Sequence, residues 1–158
     1  MRIPVWKAVA HSLALAAMLV CGGVRPLSGQ ATMTTRQNLS FGLLTPGVPM
    51  VVAPTDVLKR AEVSIVGSGK YSLQFILPSA LVSPAGRQIP LTFRNTDARV
   101  QAKNNMTVVD PRSTFDVNIP KGQGSADIYL GGTATPAAGQ VAGTYQATIV
   151  LMIVNPGA

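Results

Sequence analysis

Apolar and polar residues alternate along this chain in short runs, and glycine or proline breaks the pattern about every eight to twelve residues. Period-two alternation is the signature of half-buried strands. Arg60–Val66 sets Ala61, Val63 and Ile65 on one face, with Glu62 and Ser64 on the other. Lys70–Leu77 repeats the pattern with Tyr71, Leu73, Phe75 and Leu77. The Gly67-Ser68-Gly69 link between these two runs reads as the tight connection of a hairpin. Thr114–Ile119 turns Phe115, Val117 and Ile119 inward, and Ser125–Leu130 does the same with Ala126, Ile128 and Leu130. Asp127 and Tyr129 then point outward. Gln88–Arg94 aligns Ile89, Leu91 and Phe93, and Pro90 inside it points to an edge strand or a bulge, because proline cannot donate to a ladder.

The remaining stretches are less regular. Thr32–Gln37 reads as a polar lead-in. Asn38–Leu44 reads as a first short strand with Leu39, Phe41 and Leu43 on one face. Val48–Ala53 is an apolar run whose Pro49 places it at an edge. Ser79–Gly86 is expected to be a loop or short crossing, Asn95–Asn105 irregular, and Met106–Val109 a short apolar run closed by an Asp110-Pro111-Arg112 turn. Gly131-Gly132 is expected to break or bulge its strand, and Pro136–Gly143 to be a small-residue loop. No convincing amphipathic helix appears after residue 31. The pattern predicts seven to nine strands, each with one apolar face that needs a second layer to cover it. Two sheets face to face meet that need.

Thr144–Val154 reads as the last and longest strand. Its odd positions, Tyr145, Ala147, Ile149, Leu151 and Ile153, form one apolar face. Its even positions begin polar, at Thr144, Gln146 and Thr148, and end apolar, at Val150, Met152 and Val154. Either loops or the N-terminal segment cover these last three, or they form an exposed contact surface for another protein. They are the candidate site.

The first residues change the chemistry of the whole. Arg2 and Lys7 precede an apolar run, Ala8–Val24, and small residues follow it up to Ala31. This is the layout of a secretory signal-peptide helix, with cleavage expected after Ala31. The run falls short of the ~20 residues of a spanning helix, and Val20 is a poor neighbour for lipidation of Cys21. Cleavage leaves a domain of residues 32–158. It removes the only Cys, the only His (His11) and the only Trp (Trp6), together with three of the 13 basic side chains. Ten basic groups then face six acids, a net charge of about +4 against the formal +7. The basic residues are dispersed, which argues against nucleic-acid binding.

Without imidazole or thiol, the processed chain has no Ser-His-Asp or Cys-His site, no zinc or copper site of the usual ligands and no disulfide. No cofactor or metal is expected. The six acids, Asp56, Glu62, Asp97, Asp110, Asp116 and Asp127, sit mostly beside turn residues, with no spacing of a glycosidase pair or a calcium loop. Gly67-Ser68-Gly69-Lys70 lacks the spacing and following helix of a phosphate loop.

Three blocks together resemble a family of exported bacterial proteins catalogued as domain of unknown function 4402. They are Leu39-Ser40-Phe41-Gly42, the run Tyr71-Ser72-Leu73 to Leu77-Pro78-Ser79, and Tyr129-Leu130-Gly131-Gly132-Thr133 with Ala142-Gly143-Thr144-Tyr145. The resemblance implies an exported, immunoglobulin-like β-sandwich, distantly similar to spore-coat protein U and fimbrial subunits. The chain departs from fimbrial subunits in its ending, Ile153-Val154-Asn155-Pro156, and in lacking a cysteine pair. The expected protein is a non-enzymatic structural or surface protein, a pilin-like or coat-like assembly subunit, in the periplasm, on the cell surface or outside the cell. Its partners would be other proteins or further copies, met through strand edges or the C-terminal patch, with no stable membrane insertion after cleavage. The alternative is an exported carbohydrate- or protein-binding module with an aromatic such as Tyr129 exposed. A carboxylate-only hydrolase is a third reading.

Overall fold

The computed structural model describes residues 31–122 and 124–154, and the backbone of Ala8–Val9 and Ala14–Ala17. The expected leader helix lies for the most part outside the described residues; the two short pieces that are described, β1 (Ala8–Val9) and β2 (Ala14–Ala17), are extended.

Between residues 31 and 154 the fold is all-β, with thirteen strands, twelve of them in three sheets whose pairings there are all antiparallel. The first sheet has the order β11 (Asn105–Val109), β10 (Ala98–Ala102), β13 (Ser125–Leu130), β6 (Ala61–Val66), β3 (Thr32–Gln37). The second runs β12 (Phe115–Ile119), β7 (Gly69–Ile76), β15 (Thr148–Val154), with β2 added in parallel at its end. The third is β5 (Met50–Val52), β14 (Gly132–Ala134), β9 (Gln88–Thr92), β8 (Ala80–Val82). The isolated pair β4 (Leu43–Leu44) meets β1. The thirteen strands exceed the expected seven to nine because several runs are cut by turns or glycines and two had no strong alternation.

The inward faces are those the alternation marks. Ala61, Val63, Ile65, Leu73, Val117, Ile128 and Leu151 are all buried, and the rings of Phe75 and Phe115 lie 5.7 Å apart. Each such aliphatic or aromatic side chain contributes about 1.5–3 kcal/mol by leaving water. The buried apolar cluster extends from Ala31 to Leu151 and forms a sandwich-like core. Residues 32–158 therefore contain all of it except Ala31.

Several expectations are corrected. Arg60–Val66 and Lys70–Leu77 are not a hairpin: β6 pairs with β3 and β13, whereas β7 pairs with β12 and β15. The glycine link crosses between sheets, with Gly69 at φ +119° and the Tyr71 hydroxyl donating to Ser68 O at 2.9 Å. Alternation reveals which side is buried, and it is silent on which strand lies alongside. Thr32–Gln37 is a strand, since its threonines suit a half-exposed edge beside β6. Asn95–Asn105 contains β10, which turns at Lys103 (φ +59°) into a hairpin with β11. Its inward residues are the small Ala98 and Val100, so charged Arg99 dominates the run. Leu43 does not share a face with Leu39 and Phe41: the latter are buried, whereas Leu43 is exposed, because Gly42 at φ +66° redirects the chain.

Pro90 lies on an internal strand, between β14 and β8, rather than at an edge. The β14–β9 register ends at Ala134 and Leu91, and Pro90 O still accepts Thr135 N–H at 2.9 Å, so the missing donor falls just past the ladder. Pro49 does precede an edge strand, β5. Gly131 separates β13 from β14, which begins at Gly132, so the strand breaks as expected. A Cβ on Gly131 would run into Val52 O of β5 and into Ala53 just after it, and one on Gly132 into the Phe93 ring. The last strand is shorter than expected, Thr148–Val154, and the eight-residue β7 is the longest.

Candidate functional site

Thr144–Ala147 does not extend the β15 ladder with β7. Tyr145 is buried there, its hydroxyl donating to Val141 O at 2.7 Å and accepting from Gln140 Nε2 at 2.7 Å. This is the bond of a tyrosine corner, and it fixes where the chain enters the sheet. Gln146 then exchanges two backbone bonds with Val82 of β8, at 2.8 and 3.0 Å.

From Thr148 the strand is regular. Ile149 and Leu151 turn inward and are fully buried. Val150, Met152 and Val154 turn outward and lie opposite Ile76, Gln74 and Ser72 of β7. The next strand continues that face with Asp116 opposite Ser72 and Asn118 opposite Lys70. The outer face of the second sheet is thus divided. Its β12 side is ionic: Asp116 accepts Ser72 Oγ–H at 2.6 Å and pairs with Lys70 at 2.9 Å. Ser72 and Lys70 together hold the Asp116 carboxyl below the usual carboxylate range. Its β15 side is apolar: Val150 and Met152 are half-buried, Val154 is 39% exposed and Ile76 is 51% exposed. The structure brings the three candidate residues onto one surface and adds Ile76. The signal for Ile76 is in the sequence, as the one apolar residue after outward Lys70, Ser72 and Gln74.

Tyr129 faces outward on the first sheet but is 5% exposed. The Arg60 guanidinium lies 3.6 Å over its ring and also pairs with Glu62 at 3.2 Å, while the Tyr129 hydroxyl donates to Gln101 Oε1 at 2.8 Å. Burial pushes that hydroxyl's pKa up. The Arg60 guanidinium covers the ring, so alternation alone overstated its exposure.

Three of the remaining acids are tied into local structure, whereas the fourth, Asp127, keeps a buried Oδ1 without a hydrogen-bond partner. Asp56 accepts from Leu58 N–H, Asp97 from Arg94 N–H at 2.8 Å, and Asp110 takes three bonds from Arg112, whose side chain brings the Asp110 pKa down to about 2. No group of three or more His, Cys, Asp and Glu side chains is placed to hold a metal among the described residues. No helix there is long and apolar enough to cross a membrane.

On the opposite flank, a groove of about 580 Å³ separates the β10–β11 hairpin from β12. Val100, Val109 and Val117 contribute its apolar lining, and Lys103, Asn105 and Asn118 its polar one. Asp116 is the acid in its wall. No protein-family model matches this chain, and no curated protein matches it.

Proposed function

We propose that the chain is an exported, immunoglobulin-like, non-enzymatic structural subunit that contacts other proteins through the outer face of β15. The observation that carries the reading is the divided outer face. Polar and ionic groups fill its β12 side, while Ile76, Val150, Met152 and Val154 form a continuous apolar side. Exposed apolar side chains that cluster, and are rimmed by polar ones, mark contact surfaces. The basic-then-apolar start of the sequence supports export. The engagement of Asp56, Glu62, Asp97, Asp110 and Asp116 in turns and ion pairs supports a non-catalytic role, as does the single carboxylate in the groove.

The binding-module alternative loses its aromatic platform at Tyr129 and rests instead on the amide-lined groove between β11 and β12. The discriminating experiment measures self-association of the processed chain. The assembly reading expects Met152→Lys to weaken it by at least about tenfold, as placing a charge in the apolar centre of an interface does. An unaltered association constant would exclude this face.

A further inference from the structure

The end of the second sheet carries more than an apolar face. Beyond β15, the backbone of Ala14–Ala17 lies in parallel along Thr148–Leu151, pairing Ala14 with Thr148, Leu15 with Ile149, Ala16 with Val150 and Ala17 with Leu151. A segment that the sequence marks for removal therefore occupies the sheet edge. When residues 1–31 leave, the unpaired N–H and C=O groups of Thr148–Leu151 are uncovered.

Uncovered edges are usually blunted by charge, proline or bulges, because they recruit other strands. The other edges of this fold are blunted. β3 carries Arg36 and a register shift, β12 carries Asp116, β5 lies between Pro49 and Pro54, and β8 between Pro78 and Pro84. β11 starts from a turn holding Lys103. β15 has none of these devices along Thr148–Leu151, the part that β2 covers; the nearest following proline in the sequence, Pro156, lies past its far end. Its sequence, Thr-Ile-Val-Leu-Met-Ile-Val, has no charge and no proline, and the whole stretch from Ile128 to Ala158 has no charged side chain. In a chain of net positive charge, this is where two copies can approach without repulsion.

We infer that the uncovered β15 edge pairs antiparallel with the same edge of a second copy, and that Ala14–Ala17 covers this edge in the unprocessed chain. The inference rests on the assembly reading and on removal of residues 1–31. The partner follows from the chemistry of the edge: it must offer an uncharged, unpaired strand, and β15 of another copy is such a strand. Two-fold self-pairing is geometrically consistent. Opposed residues in an antiparallel ladder share a face, so a register centred on Val150 keeps Ile149 and Leu151 of both copies over their cores. It also sets the two Val150 side chains together and each Met152 across from a Thr148, which merges the two outer patches. The contact is short, so a weak dimer, present at high concentration and lost on dilution, is expected.

The test is the solution mass across concentration, by sedimentation, of the full chain and of residues 32–158. That shorter form keeps the core cluster and serves as the processed protein. The expected results are a monomeric full chain and a dimerising 32–158 form. Thr148→Pro blocks the free edge outside the β7 register, which begins at Val150. In the 32–158 form it should weaken dimerisation at least about tenfold, with circular dichroism and unfolding midpoint unchanged. In the full chain, Leu15→Pro with Ala16→Pro should uncover the edge and produce dimers. If Met152→Lys abolishes dimers and Thr148→Pro does not, the edge inference is overturned and the contact face stands. If the full chain dimerises as readily as the short form, the covering role of Ala14–Ala17 is overturned. If every form stays monomeric up to millimolar concentration, the edge dimer and self-assembly through this face both fall.

Discussion

The two open flanks of this sandwich-like fold solve the same problem in opposite ways. At one, the edges of β11 and β12 leave a groove, and the strands there carry amides, Lys103, Asp116 and the Lys70 ion pair. At the other, β15 ends the second sheet with uncharged β-branched and aliphatic residues, and β2 lies along it. Solvated polar groups can leave an edge open to water without recruiting a neighbour. An edge without them must be covered by chain. The contrast supports the proposed protein contact at β15 over one at the β11–β12 flank.

The largest expected effect breaks the core beneath the apolar flank. Leu151 and Ile149 are fully buried, so Leu151→Ala should destabilise the fold by about 2–5 kcal/mol, read from denaturant unfolding. Met106→Ala, on the exposed strand of the other flank, should cost under about 0.5 kcal/mol. Next comes association itself. Val150→Lys should weaken self-association by about tenfold or more, whereas Val108→Lys on β11 should leave it unchanged. Equal effects of the two substitutions would erase the distinction between the flanks. Tyr145→Phe should cost about 1 kcal/mol, because Val141 O loses its donor and Gln140 Nε2 its acceptor, measured as a lowered unfolding midpoint.

The smallest effect belongs to the polar flank. Asp116 and Asp110 have folded-state pKa values held below their ordinary ones, by Ser72 with Lys70 and by Arg112. A depressed carboxylate binds fewer protons in the folded state, so its contribution is full above about pH 4. It is lost as pH falls through the folded value, which for Asp110 is about 2. Asp116 is exposed and Asp110 half-buried at the surface, so the effect is small, and Asp110→Asn should flatten the acid limb of a stability–pH curve while lowering stability near neutrality only slightly.

Much of the fold was legible because alternation directly encodes burial. β6, β7, β12 and β13 have inward residues large enough to stand out, and each lies where the pattern places it. β10 escaped because its inward residues are small while Arg99 and Gln101 project outward, so the stretch reads as polar. The pairing of β6 and β7 was misread because an apolar face is shared by hairpins and by strands in facing sheets. At the candidate site, Val150, Met152 and Val154 were legible as the even positions of the last strand. The covered edge was not, because hydrogen-bonding backbone leaves no mark on side-chain pattern, and the residues lying along it come from the far end of the chain.

The most direct measurement is amide hydrogen exchange of residues 32–158 at low and high protein concentration. The account predicts that protection of the edge-facing amides in Thr148–Leu151 rises with concentration, while Asn105–Val109 on the other flank is unchanged. Concentration-independent exchange at Thr148–Leu151, or a rise confined to Asn105–Val109, would contradict it.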